Sequence, residues 1–387
     1  IFFLKSIIIL QKYKNVDEFI KYTDKNISIG LIVYDHILRH SLIGTTNKIT
    51  FKFYYFLAEA LNVNQFCKNL FSNNNIHSVI QTEKQFLPSA IIFQNALAYN
   101  CKVYSKEGGV NCFGVRVCCD ISKKLSSKLL HSKDLFHYVL KNYKEQALIE
   151  GKKLINKRFS GLTSSNDLHE AHLAFKIGNK FSKKDLCKHL NWNSNKPIIG
   201  IFASDFVDGN FESSWKVFKD NLSWLRGTLK CIKNVKNVNW LVKAHPVGRG
   251  QIGKTSTKKE FDTIVGNLEH IALLDNKFNA SSLPNCLDIA LTCMGSIGLE
   301  YPCFGIPSII GGESYYGGFG FTHEPKTEEE YFSWLKNINN VEKFKLSKDQ
   351  IEKAIVYFYI CFVLTKITNP LIPNFDPSRN FSENKFW

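Results

Sequence analysis

A chain of 387 residues is long enough for two domains, each with its own core, and two compact α/β units are the expectation. With 50 Lys and Arg against 34 Asp and Glu the net charge is +16, which favours acidic partners such as nucleotide phosphates, anionic glycans or an anionic lipid surface. Lysines are spread evenly with no basic run interleaved with aromatics, which argues against nucleic acid; the longest apolar runs, at 1–10 and 355–365, fall short of the roughly 20 residues that cross a bilayer.

The 11 cysteines form no C-x-x-C pair and no zinc-type spacing with His, so they read as reduced, mostly buried thiols, which points to the cytoplasm. Cys118 and Cys119 are adjacent and chelate one ion poorly, so neither a structural metal nor a cofactor is expected. The chain starts at Ile1 and its one methionine is Met294, so a preceding segment is expected.

In chain order, "ISIGLIVYD" (27–35) reads as a short strand ending at Asp35, followed by a helical pattern over 51–70. "HSVIQT" (77–82) is a strand, 84–99 a helix, "CKVYS" (101–105) a strand, and "KEGG" (106–109) a loop. Strand, helix, strand with loops at the carboxyl ends predicts a parallel sheet covered on both faces. Residues 122–195 turn helical and polar, with turn-rich punctuation at 160–167 and 191–197. A second α/β unit opens with "PIIGIFA" (197–203), apolar enough for a buried parallel strand. A helix over 212–233 follows, then strands at 239–244, 270–274 and 287–292, a helix from Ser296, a strand at 306–310, and two further helices. The last of these, over 346–365, is long enough to cross back onto the first domain.

The stretch "NWLVKAHPVGRGQIGKTSTKKEF" (239–261) carries two competing motifs. Gly248 to Thr255 match the phosphate-loop pattern G-x-x-x-x-G-K-[ST]. Four residues including Pro246 separate the strand from Gly248, and "IALLD" (271–275), which has the hhhhD look of the partner strand, comes too soon after Lys254; a solvated Gly/Lys loop is the plainer reading of the match. His245, by contrast, follows a strand end, where its imidazole enters the crevice outside the sheet's carboxyl edge and can donate to a phosphate oxygen. In "LTCMGSIGLEYPCFGIPSIIGG" (291–312) a strand ends at Thr292 and Gly295-Ser296 begin a helix, an arrangement suited to an anion. Glu300 lies one turn on, placed to accept from ribose hydroxyls. Each element alone is as well explained by a loop His, an ordinary Ser cap and a surface Glu; their order is what points to a nucleotide.

The run "FASDFVDGNFESSWKVFKDNLSWLRGTL…NVNWLVKAHP…LTCMGSIGLEYPCFGIPSIIGGESYYGGFGFTHEPKTEEEYFSWL", with "GLIVYDHILRH" and "RFSG" (158–161), resembles capsule and surface polysaccharide biosynthesis proteins, most specifically over 198–335. The resemblance implies a GT-B-like fold, α/β with two Rossmann-like domains facing across a cleft: an acceptor-side domain with a helical linker over 1–190, a nucleotide-sugar domain over 191–345, and a crossover helix and tail over 346–387. It implies an inverting, metal-independent glycosyltransferase with a CMP- or UDP-linked donor and a glycan or glycolipid acceptor, peripherally associated with the inner membrane face. Teichoic-acid-type alditol-phosphate transfer and the phosphate-loop NTPase are the rival readings. His245-Pro246 and either Thr292 or Ser296 would hold the donor phosphate; Cys293-Met294-Gly295-Ser296 departs from the family's Thr-Gly or Ser-Ser and leaves that choice open. A base is needed to deprotonate the acceptor, and Asp35 and Glu107, each just after an expected strand, are the candidates. Asp205 and Asp208 follow the first strand of the second unit and are candidate acceptor or sugar contacts, with an Asp208-Gly209 turn the plainer alternative. Tyr315 and Tyr316, between glycine pairs, are candidates to stack on a base or sugar.

Overall fold

The computed structural model describes residues 1–108, 112–128, 132–161, 175, 178–211, 213–246, 255–275 and 277–368. The first unit opens with helices α1 (Phe2–Leu10), α2 (Val16–Phe19), α3 (Ile29–Ser41) and α4 (Phe51–Asn73). The segment 27–35, expected as a strand, is part of α3. Its apolar residues Ile29, Ile32, Val33, Ile37 and Leu38 recur at three- and four-residue spacing and are all buried, and this helical period overrides the β-branched composition. A Cβ at Gly30 would lie 2.0 Å from the Phe19 carbonyl oxygen, so glycine lets α2 and α3 meet backbone to backbone.

Strand β1 (Ser78–Gln81), helix α5 (Ser89–Ala98) and strand β2 (Lys102–Gly108) form a parallel crossover, and α5 starts only after Pro88. The loop expected at 106–109 is instead the end of β2, which pairs antiparallel with β3 (Cys112–Cys118). The first sheet is therefore mixed, with a single parallel pair among its described strands.

The second sheet is parallel throughout. Strands β4 (Ile198–Phe202), β5 (Asn239–Lys243), β6 (Ile271–Leu273), β7 (Ile289–Thr292) and β8 (Ser308–Ile310) lie in the order β6-β5-β4-β7-β8. Alternation divides the side chains between two cores. Ile199, Ile201, Trp240, Val242, Ile289, Leu291 and Ile309 meet helices α9 (Asn221–Ile232), α10 (Thr257–Ile264) and α12 (Glu328–Lys336). Ile198, Phe202, Leu241, Ala290 and Ile310 face the other way, onto α6 (Ser132–Asn142), α7 (Lys144–Phe159) and α8 (Lys183–Leu190). Between β7 and β8 lies α11 (Ile297–Glu300), a single turn.

The final helix α13 (Lys348–Tyr359), set by a Ser347–Gln350 capping box, packs in the same core as α6 and α7. It widens into a π turn at Ile360–Leu364 and delivers strand β9 (Ile367–Thr368) to β3 of the first sheet, so the chain does cross back. The units also join through α3: the buried Tyr34 hydroxyl donates to Asp220 Oδ2 at 2.9 Å, while Asp220 Oδ1 caps α9 by accepting from the Ser223 N–H at 2.7 Å. Burial and the Asp220 charge push the Tyr34 phenol far above its ordinary range, so it remains a donor. Tyr34→Phe, which removes a buried hydrogen bond to a carboxylate, is expected to lower unfolding free energy by roughly 1.5–3 kcal/mol in urea titrations.

Candidate functional site

A cavity of about 350 Å³ opens at the carboxyl ends of β4, β5 and β7. The strand order reverses between β4 and β7, and the crevice at such a switch point is where open α/β sheets bind ligands. Its lining includes His245, Pro246, Thr292, Gly295, Ser296, Glu300, Asp205 and Asp208, eight residues singled out from sequence and brought together from three separate stretches of the chain.

The turn after β7 is tightly built. Thr292 Oγ1 is buried and accepts the Gly295 N–H at 3.1 Å while donating to the Phe202 carbonyl at 3.4 Å, so its hydroxyl is spent on shaping the turn. A Cβ at Gly295 would lie 2.9 Å from that oxygen. Ser296 lines the cavity half-buried, and its hydroxyl makes no cap bond, so the plain alternative of a Ser cap does not hold; α11 is a single turn, too short to carry the full dipole of the helix-end anion site expected there. Tyr316 is fully buried beneath this turn and donates to the Gly295 carbonyl at 2.5 Å. A Cβ at Gly298 would lie 2.1 Å from its hydroxyl oxygen. Tyr316 is thus a wedge under the turn instead of a stacking platform. Tyr315 is also outside the cavity lining, and its carbonyl accepts from the Tyr357 hydroxyl of α13 at 2.6 Å.

Glu300 is not a surface residue. Its Oε1 accepts from Arg158 Nη1 at 2.9 Å with both side chains buried, and the guanidinium lies 4.2 Å from the ring centroid of Phe362 and 5.1 Å from that of Phe358. The reading of 158–161 attached no partner to Arg158, because nothing in a polar helix pattern marks one arginine as buried. Lys243 is a further polar group of the cavity. It ends β5 on the Leu241 side, lines the cavity, donates to the Ala244 carbonyl at 3.3 Å, and is pushed down to about 8 by burial, against the opposing pull of Glu300. A lysine ending a buried strand two residues before His-Pro was the available signal.

On the acidic side, Asp205 Oδ1 accepts from the Val207 N–H at 3.1 Å, and Asp208 pairs with Arg39 of α3 at 3.1 Å, half-exposed. The Asp208-Gly209 turn is also real, with Gly209 at φ +61°. Asp35 is not at a strand end. It is buried in α3 and lines a separate cavity of about 40 Å³ with Lys84, Gln85 and Lys124. Glu107 lies within β2, and its side chain is outside the described residues, as are Gly248 to Lys254 of the phosphate-loop match.

No protein-family model and no curated protein matches the chain. Among solved structures, the beta Kdo 2,4 transferase of Thermosulfurimonas dismutans KpsC matches at 13% identity over 76% of this chain and 81% of that one, with a TM-score of 0.46. The beta Kdo 2,7 transferase of the same KpsC matches at 14% identity over 80% and 84%, TM-score 0.44. Anabaena HepE in complex with UDP-glucose matches at 14% identity over 51% and 52%, TM-score 0.33. Likeness at this level does not fix an activity.

Lys243 gives the site a pH signature. Its ordinary value of 10.5 falls to about 8 on folding, so the unfolded chain keeps a proton that the folded chain releases in between; its burial costs stability below about 8, and the cost fades as pH rises. Anion affinity runs the other way and is expected to fall as pH rises through about 8. Calorimetric titration with a nucleotide should show that step in the wild type and not in Lys243→Met, which should melt no lower than the wild type at neutral pH.

Proposed function

We propose that this chain is a GT-B-type glycosyltransferase whose nucleotide-sugar donor sits in the cavity at the β4/β7 switch point. The observation that carries the proposal is the convergence there of Lys243, His245 and Ser296, three groups able to donate to phosphate oxygens, with Glu300 one turn beyond, where its carboxylate can meet hydroxyls. The acceptor is a glycan or glycolipid entering from the side of α3.

In this reading the acceptor hydroxyl attacks the anomeric carbon from the face opposite the leaving phosphate, the new C–O bond forming as the sugar–phosphate bond breaks. The proton passes to a carboxylate, and the negative charge that gathers on the phosphate is met by Lys243 and His245. Among the acids of the cavity, Asp205 is the one we assign as base: it has no ion-pair partner among the described residues, whereas Asp208 is held by Arg39 and Glu300 by Arg158. Asp35, set apart in its own cavity, takes no part in proton transfer. Asp205→Asn is expected to abolish transfer with donor affinity nearly unchanged, and Asp35→Asn to keep a near wild-type rate; the reverse result would return the base to α3.

His245→Ala removes a charge-assisted hydrogen bond worth roughly 1.5–3 kcal/mol, so donor affinity should fall at least about tenfold. Lys254→Ala should leave it nearly unchanged. A thermal-shift panel of CMP-, UDP-, GDP- and CDP-linked donors identifies the nucleotide, and EDTA should not lower the transfer rate. A dead Lys254 variant beside a normal His245 variant, with activity lost in EDTA, would replace this reading with the phosphate-loop NTPase.

A further inference from the structure

A second cavity, of about 490 Å³, opens where the edge strand β1 stops at Gln81 while its neighbour β2 runs on to Gly108. Alternation along the strands gives it two kinds of wall. Ile80 and Tyr104, paired in register, lie on the face turned away from Val79, Val103 and the core under α5, and Ile80 is 87% exposed. Gln81 and Ser105, the next pair in register, take the opposite face, and with Ser89, the first residue of α5, they line the same cavity. Ser105 is 4% exposed, and its Oγ and the Gln81 Nε2 are buried with no hydrogen-bond partner among the described residues. Buried polar atoms are almost always paired, so two orphans in one wall point to a partner that the chain itself does not supply.

The lining carries one charge of each sign, Glu83 and Lys106, so it selects neither a phosphate nor a carboxylate. It sets an aromatic and aliphatic side against an amide and the hydroxyls of Thr82, Ser89 and Ser105, which suits a molecule with a C–H face and a rim of hydroxyls. We propose that this cavity holds an uncharged sugar unit, its C–H face on Tyr104 and Ile80 and its hydroxyls turned to Gln81, Ser89 and Ser105. The cavity is connected to the one at the switch point. Glu83 Oε1 accepts the Lys84 and Gln85 N–H groups at 2.8 and 2.7 Å, which turns the chain as it leaves β1, and a Cβ at Gly209 of the switch-point cavity would lie 3.4 Å from Gln85 Nε2. A glycan can follow that turn from one cavity to the other, so the unit held at β1 is one that does not react, and a bound acceptor spans more than one sugar. This acceptor role rests on the transferase reading; the binding of a sugar does not.

The test applies the full chain, without donor, to an array of immobilised uncharged and acidic oligosaccharides, with nucleotide binding measured alongside by calorimetry. The wild type is expected to be retained on uncharged glycans. Tyr104→Ala should weaken that retention at least about tenfold, and Ser105→Ala about three- to tenfold through the loss of one hydrogen bond. Because Ser105→Ala deletes an unpaired buried hydroxyl, it should melt no lower than the wild type, which separates lost glycan affinity from a folding defect. Both variants should bind nucleotide as the wild type does. The proposal is overturned if the wild type is retained on no uncharged glycan, if it takes acidic glycans alone, or if Tyr104→Ala is retained as well as the wild type. Glycan binding without nucleotide binding would leave this cavity standing and sink the donor reading of the other; nucleotide binding without glycan binding would do the reverse.

Discussion

The contact between Arg158 and Glu300 ties the cavity to the core beside it. Two charges out of water cost several kcal/mol each, and neither could be buried without the other. The pair adds little net stability, but it is intolerant of displacement, because a shift of α7 or α11 leaves a charge unmatched in an apolar core. The π turn after α13 contributes by carrying Phe362 over the guanidinium beside Phe358, so three distant parts of the chain share one cation.

Burial pushes Lys243 down to about 8, and the carboxylate of the same pair opposes that shift. Glu300 is the carboxylate that acts on this lysine, yet its Oε1 is already committed to Arg158, so Lys243 receives only part of the compensation a buried ammonium needs and its proton is loosely held. A partly buried, under-compensated cation at the end of a parallel strand costs stability in the free protein and gains a counter-charge when an anion arrives. The turn beside it is held by the opposite strategy. Tyr357 on α13 fixes the Tyr315 carbonyl, Tyr316 fixes the Gly295 carbonyl, and Ser314 Oγ donates to the Met294 carbonyl at 3.0 Å. These bonds leave the backbone around Ser296 little freedom, so little ordering entropy remains to oppose binding there.

Sequence legibility followed period and burial. The second unit was readable nearly strand by strand, because a parallel sheet covered on both faces writes itself as short apolar runs separated by turns, and the strand ends then located His245, Thr292 and Asp205 correctly. The first unit was harder. "IVYD" has strand composition, and only the continuation to Leu38 and His40 shows the helical period that buries Asp35 and removes it from any strand end. The antiparallel return of β3 and the arrival of β9 from the far end of the chain depend on long-range pairing that no local pattern encodes. Arg158 carries no local signal for a related reason: a buried charge is declared by its partner, and the partner of Arg158 is 142 positions away.

The two motifs that share the stretch 239–261 show how position relative to a strand decides what a pattern can do. His245 is two residues past the end of β5 and lines the cavity. In a phosphate loop the Lys-Thr pair opens the helix, so that the threonine hydroxyl and the first free N–H groups face the phosphates together. Here Thr255 is buried and outside the cavity lining, and the helix that follows is capped by the next residue, Ser256, whose hydroxyl accepts from the Lys259 N–H at 3.2 Å. The hydroxyl that a phosphate-loop NTPase would turn toward its metal ion is thus packed into the protein, while the imidazole three residues upstream of the match faces the switch point of the sheet. A pattern of eight letters tests spacing alone; whether its groups reach a ligand depends on where the strand stops.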